Sequence, residues 1–165
     1  LDYPGGPVIS KIASKVVGSP TPHHLPRPML NTKDYDFSFS GLKTAVLYKA
    51  RSQKLGARNR EFVREMCVEV QQAIVDVLIK KTIRAAKYFK VKSIILGGGV
   101  SANKELRKQL KQKIQKEIPN TQYLIPNTQY STDNALMIAV AGYFNRNKKA
   151  SWENLKAKAN LRISK

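Results

Sequence analysis

The sequence predicts a layered α/β domain, and three observations carry that prediction. An apolar stripe at helical spacing runs from about Asn59 to Phe89. A short β-branched run, Lys92 to Leu96, then ends on Gly97-Gly98-Gly99. A basic amphipathic stretch from Asn103 to Glu117 separates that run from a second one, Gln122 to Ile125. Helix, strand, glycine turn, helix, strand, helix is the order that layers helices on a sheet. There is no internal repeat or low-complexity tract, and 165 residues suffice for one core.

Residues 1–30 are rich in Pro and Gly. Within them Pro7 to Val17 predicts one short helix with Val8, Ile9, Ile12, Ala13 and Val16 inward and Gly18 as its stop. Pro20, Pro22, Pro26 and Pro28 then force an extended or looping path. Tyr35 to Gly41 alternates aromatic with polar residues, which predicts a strand, and a helix is expected from Leu42 to about Ser52. In the long helix Val63, Met66, Cys67, Val70, Ile74, Val77, Leu78 and Ile83 recur every three or four positions with no Gly or Pro between them. Lys92 to Leu96 predicts a buried strand, and Leu106, Leu110 and Ile114 mark the core side of the basic helix. Ser131, Thr132 and Asp133 are candidate caps for a last helix through about Phe144. A Lys-rich tail with one Trp and one further helical turn is expected after Asn147.

Thirty Lys and Arg against eleven Asp and Glu give a formal charge of +19. A field of that size favours polyanions, nucleic acid first among them, although a basic proteome or a missing acidic half would give the same count. Cys67 is the sole cysteine, so an intrachain disulfide is excluded; its place in an apolar pattern suggests a small buried residue. No apolar run approaches the roughly 20 residues needed to span a bilayer, no signal-peptide pattern is present, and a cytoplasmic protein without a membrane partner is expected. The opening Leu1-Asp2-Tyr3-Pro4-Gly5-Gly6-Pro7, with no Met, looks like the middle of a longer protein or a processed terminus.

Two places invite chemistry. A strand that breaks on Gly97-Gly98-Gly99 and enters a helix at Asn103 lets backbone approach a ligand, and the helix N-terminus offers N–H groups to a phosphate. Asn103 carries both donor and acceptor for a sugar or base. The P-loop spacing is absent, and a plain structural turn explains the glycines equally well. The second place is Ser131-Thr132-Asp133-Asn134, where Asp133 reads either as part of a helix cap or as a carboxylate metal ligand. His23 and His24 are adjacent in a Pro-rich loop, which suggests no ligand pair. Lys43, after the Ser40-Gly41 turn, reads either as a phosphate contact or, the favoured reading, as a solvated lysine. Lys104, Arg107, Lys108, Lys111 and Lys113 form a basic helix face that either tracks RNA or is merely solvated. No Ser/His/Asp, Cys/His or paired-carboxylate arrangement is visible.

Five segments in order resemble the TsaD family of tRNA N6-adenosine threonylcarbamoyltransferases, once called glycoproteases. They are Asp2-Tyr3-Pro4-Gly5-Gly6-Pro7, Pro26-Arg27-Pro28-Met29, Phe37 through Val46, Gly98-Gly99-Val100-Ser101-Ala102-Asn103, and Ser131 through Ala139. The resemblance implies the C-terminal lobe, with a helical insertion, of an actin-like ATPase (ribonuclease H-like) α/β fold. Residues 1–147 would form that lobe and 148–165 a basic tail, the N-terminal lobe being absent. It implies transfer of a threonylcarbamoyl group from threonylcarbamoyl-AMP to N6 of the adenosine 3′ of a tRNA anticodon. The implied partners are tRNA and other threonylcarbamoyladenosine-synthesis proteins, and the implied cofactors are one divalent metal, iron or zinc, with threonylcarbamoyl-AMP or ATP as nucleotide ligand. Carried over position by position, Gly6, Gly98, Gly99 and Asn103 would contact the nucleotide and Asp133 would ligate the metal. The family's two metal-binding histidines and a nucleotide-site aspartate would lie upstream of Leu1, so no catalytic residue is identified and the isolated chain is expected to be inactive. A non-catalytic half-domain that binds tRNA or a partner is the alternative; a metalloprotease is disfavoured because no glutamate stands beside a zinc pair.

Overall fold

The computed structural model describes residues 4–16, 22–52 and 59–148, with positions 151, 153, 156, 157 and 160 of the tail. Its elements are α1 (Gly5–Ala13), α2 (Ser40–Ser52), α3 (Arg60–Phe89), β1 (Ser93–Ile95), α4 (Lys104–Glu117), β2 (Gln122–Leu124) and α5 (Ala135–Phe144). The chain divides into two compact units, Leu1–Ser131 and Thr132–Lys165. Among the described residues no helix is long and apolar enough to cross a membrane.

In the first unit α3 is the centre. Asn59 caps it by accepting from the N–H groups of Glu61 and Phe62, and Lys90 ends it in a left-handed conformation. The expected stripe widens into burial on every side in the middle of the helix, because two apolar clusters use it from different directions. On one, Val75, Ile79 and Ile83 pack with Leu106, Leu110 and Ile114 of α4. On the other, Phe62, Met66 and Ala73 pack with Leu25 and with Leu42 of α2. Cys67 is buried, and burial pushes its thiol pKa up, which makes it a poor nucleophile.

The strands pair in parallel, Ser93 with Gln122, Ile94 with Tyr123 and Ile95 with Leu124, with α4 as the connection between them. Ile94 and Tyr123 lie against the α3–α4 cluster, whereas Ile95 is 72% exposed and Leu124 48%. The expectation of a buried strand at 92–96 is therefore corrected. Side chains alternate across a strand, and only one face of this two-stranded sheet is covered.

The strand expected at 35–41 does not form. Residues 35–39 belong to no helix or strand, and Ser40 already begins α2. Polar side chains of α3 hold this part of the chain instead. Glu69 accepts from the Leu25 N–H at 3.0 Å and from Arg27, whose Nε also donates to Asp76 at 3.0 Å. Farther along, the Lys81 ammonium donates to Thr32 Oγ1 at 2.9 Å, to Asp34 at 3.0 Å and to the Asp36 carbonyl. Arg84 donates to the carbonyls of Thr32 and Asp34. Within the expected strand the Asp36 carbonyl is taken by Lys81, and among the described residues β1 and β2 pair only with each other, so the aromatic alternation has no ladder to join.

Helix α1 starts two residues earlier than expected and ends at Ala13, its only fully buried residue, so Val16 lies beyond it. Val17, Gly18 and Pro20 fall outside the described residues, as does most of the tail including Trp152. In the second unit, the cap of α5 is Asn134, which accepts from the Met137 N–H at 3.1 Å. The cap expected at Ser131, Thr132 or Asp133 therefore falls at the residue after them.

Candidate nucleotide-contacting turn

The glycine turn is built from below. After β1 the chain reaches Gly98 at φ 85°, a conformation open to glycine and costly for other residues. Gly99–Ala102 then makes a single 3₁₀ turn, closed by Ser101 N–H to the Gly98 carbonyl at 2.9 Å and Asn103 N–H to the Val100 carbonyl at 3.0 Å. Arg107, one turn into α4, donates through Nε to the Ser101 carbonyl and through Nη2 to Ser131 Oγ at 3.1 Å. This guanidinium fixes the inner side of the turn while Gly97 to Val100 stay exposed. Ser101 and Ser131 are both buried beneath it.

Asn103 holds the junction of three helices. Its Oδ1 accepts from the Leu106 N–H at 2.9 Å, capping α4. Its Nδ2 donates to Gln71 Oε1 of α3 at 2.8 Å and to Ser10 Oγ of α1 at 3.3 Å. Gly6 sits on α1 one turn before Ser10, and a Cβ built there meets nothing within 4 Å. Packing within the chain thus gives no reason for a glycine at that position. The structure therefore links Gly98, Gly99 and Asn103 in one turn and ties the turn to the helix that carries Gly6.

Gln71 and Ser10 take part in this junction without having been singled out in the sequence, and Arg107, read there as part of a basic face, supports the turn. Gln71 had a signal, since it lies four residues after Cys67 and three before Ile74, a polar side chain on an apolar stripe. Nothing marks Ser10, because its role depends on how α1 packs against α3. Arg107 reads as part of a solvated basic face and proves to point inward.

Asp133 lies in the second unit as an exposed side chain just before α5. One carboxylate does not fit a metal ion, and among the described residues no group of three or more His, Cys, Asp and Glu does so. His23 has another role, at 3.0 Å from Glu65 and edge-on to Phe62 with ring centroids 5.2 Å apart. His24 and Lys43 are exposed.

In this α/β protein, glycines bring exposed backbone to a helix N-terminus beside a carboxamide. The chain belongs to the TsaD family, tRNA N6-adenosine threonylcarbamoyltransferase, whose sequence model matches residues 1–140. It is similar to the tRNA N6-adenosine threonylcarbamoyltransferase of Thermosipho africanus, 44% identical over 164 residues, 99% of this chain and 48% of the relative. The namesake from Geobacillus kaustophilus is 46% identical over 143 residues, 86% of this chain and 40% of its own length. That from Endomicrobium trichonymphae is 43% identical over 161 residues, 97% and 45% respectively. The chain thus spans less than half the length of these curated relatives.

Proposed function

We propose that the chain is the C-terminal part, residues 1–147 with a basic tail, of an actin-like enzyme that makes N6-threonylcarbamoyladenosine in tRNA. The observation that carries this reading is Asn103, which caps α4 at the glycine turn inside the segment matched by the family. In the reaction, N6 of the tRNA adenosine attacks the carbamoyl carbon of threonylcarbamoyl-AMP. The new N–C bond forms, the bond from that carbon to the phosphate oxygen breaks, AMP leaves and N6 gives up a proton.

The chain's contribution is to hold the adenylate. Exposed backbone at Gly98 and Gly99 meets the nucleotide at the positive end of α4, and Asn103 Oδ1, with one lone pair beyond the Leu106 N–H, accepts from its sugar or base. Gly6 leaves room for the ligand to approach α1. Gln71 and Ser10 fix the Asn103 amide, so its direction is set before ligand arrives, which lowers the ordering cost of binding. Asp133 would be one carboxylate ligand of a divalent metal, and the described residues supply no complete metal site around it.

The test is nucleoside mass spectrometry on tRNA from cells depleted of the parent gene. Loss of N6-threonylcarbamoyladenosine, restored by the wild-type gene and not by one carrying Asn103→Ala, is expected. Persistence of the modified nucleoside with no redundant copy present would leave a likeness of fold alone.

A further inference from the structure

Three aromatic rings gather on the surface at the C-terminal end of α3. Tyr88 is 72% and Phe89 61% exposed, with ring centroids 4.9 Å apart and planes at 88°. Tyr35 lies 6.3 Å from the first and 5.6 Å from the second, with the Arg84 guanidinium 5.1 Å from its own ring centre. Such rings ordinarily bury their area, and Tyr88 and Phe89 leave most of it in water.

Lysines surround them. Glu117 at the end of α4 accepts from Lys87 at 2.5 Å and from Lys113 at 2.8 Å, which places the ends of α3 and α4 side by side. Lys90 and Lys92 are exposed in the connection that follows, and Lys116 is exposed on α4. Glu117 is the one carboxylate bonded to this group among the described residues. Helix C-termini attract cations and account for part of the excess. They do not account for open aromatic faces among those cations.

We propose that this corner is a contact surface for single-stranded RNA, with unpaired bases stacking on Tyr88 and Phe89 and the lysines meeting phosphates. Every base has a face that stacks on an aromatic ring, and a basic rim tracks the backbone without reading sequence. A duplex offers the same phosphates but keeps its base faces closed, so the rings select single strands. The choice of RNA over another polyanion rests on the transferase reading; the combination of rings and lysines does not.

The experiment is fluorescence anisotropy of the protein expressed from its intact gene, titrated against a labelled unstructured RNA oligonucleotide and an RNA duplex of equal length across a salt series. The expected result is tighter binding of the single strand. Tyr88→Ala with Phe89→Ala should weaken it roughly tenfold per lost stack and leave the salt dependence unchanged. Lys90→Ala with Lys92→Ala should reduce the slope of log affinity on log salt by about 1.4, at about 0.7 per single-strand phosphate. All four side chains are exposed, and an unaltered thermal melt checks that the variants fold. Equal affinity for duplex, unchanged single-strand affinity in the aromatic variant, or loss of a bound protein in that variant without loss of RNA would each overturn the proposal. RNA binding that follows these variants in a protein whose depletion leaves tRNA threonylcarbamoyladenosine intact would overturn the transferase reading and keep the surface.

Discussion

Helices α3 and α5 reverse the usual relation between composition and burial. α3 carries charged and amide side chains along its whole length, yet eleven of its thirty residues are buried, Glu69 and Lys81 among them. α5 is apolar along nearly all of its ten residues, and none is buried. Leu136, Met137, Ile138, Val140, Tyr143 and Phe144 are 46–76% exposed. The difference teaches that hydrophobicity states a demand for a partner, while neighbours decide whether it is met. The buried ions of α3 are tolerated because each finds hydrogen bonds in the segment lashed across it.

This contrast can be broken at several points. Leu110→Ala should destabilise the chain by about 3 kcal/mol, since it opens a cavity between α3 and α4. Ile138→Ala on α5 should shift the same urea midpoint by under about 0.5 kcal/mol. A comparable loss at both sites would mean that α5 is buried in solution. Lys81→Met keeps the volume but leaves Thr32, Asp34 and the Asp36 carbonyl without their donor, for an expected cost of about 2 kcal/mol. Proteolysis within residues 30–37 should accelerate in the same variant, and an unchanged rate would show that the bonds from Lys80 and Arg84 suffice to retain the segment.

The two asparagine caps sharpen the comparison. Asn103→Ala removes a cap and the bonds to Gln71 and Ser10 together, and about 1.5 kcal/mol is expected. Asn134→Ala removes one cap from an exposed helix and should cost less than about 1 kcal/mol, read by circular dichroism melts. The smallest effect concerns pH. Hydrogen bonds from Lys113 and then Lys87 lower the Glu117 pKa from 4.5 to about 2. Because the folded value lies below the unfolded one, its stabilisation is present above pH 4.5 and fades as pH falls toward about 2. Glu117 is partly exposed, so Glu117→Gln should cost under about 1 kcal/mol at neutral pH, and the difference should vanish at the acid end of a stability–pH series.

Much of the framework was legible in the residues. Asn59 to Phe89, Leu106-Leu110-Ile114 and the glycine run each state a local preference strongly enough to survive folding. The errors occurred where local signals competed with long-range ones. Tyr35 to Phe39 alternates like a strand, but Lys81, more than forty residues away, takes the Asp36 carbonyl and Ser40 already starts α2. Ser131 to Asp133 suit a cap, yet Asn134 stands at the first turn and takes the position. At the site, Asn103 was visible through its glycines, whereas Gln71, Ser10 and Arg107 act only through the meeting of α1, α3 and α4.

The sequence by itself determined the helices, the glycine turn and the membership of the TsaD family, because periodicity, φ preference and motif order are properties of neighbouring residues. Tertiary structure alone decided which charges are buried, which face of the strands is covered, and that the Asn103 amide is held by two other helices. Those outcomes depend on partners distant along the chain, and a buried polar group is stable only once such a partner is in place.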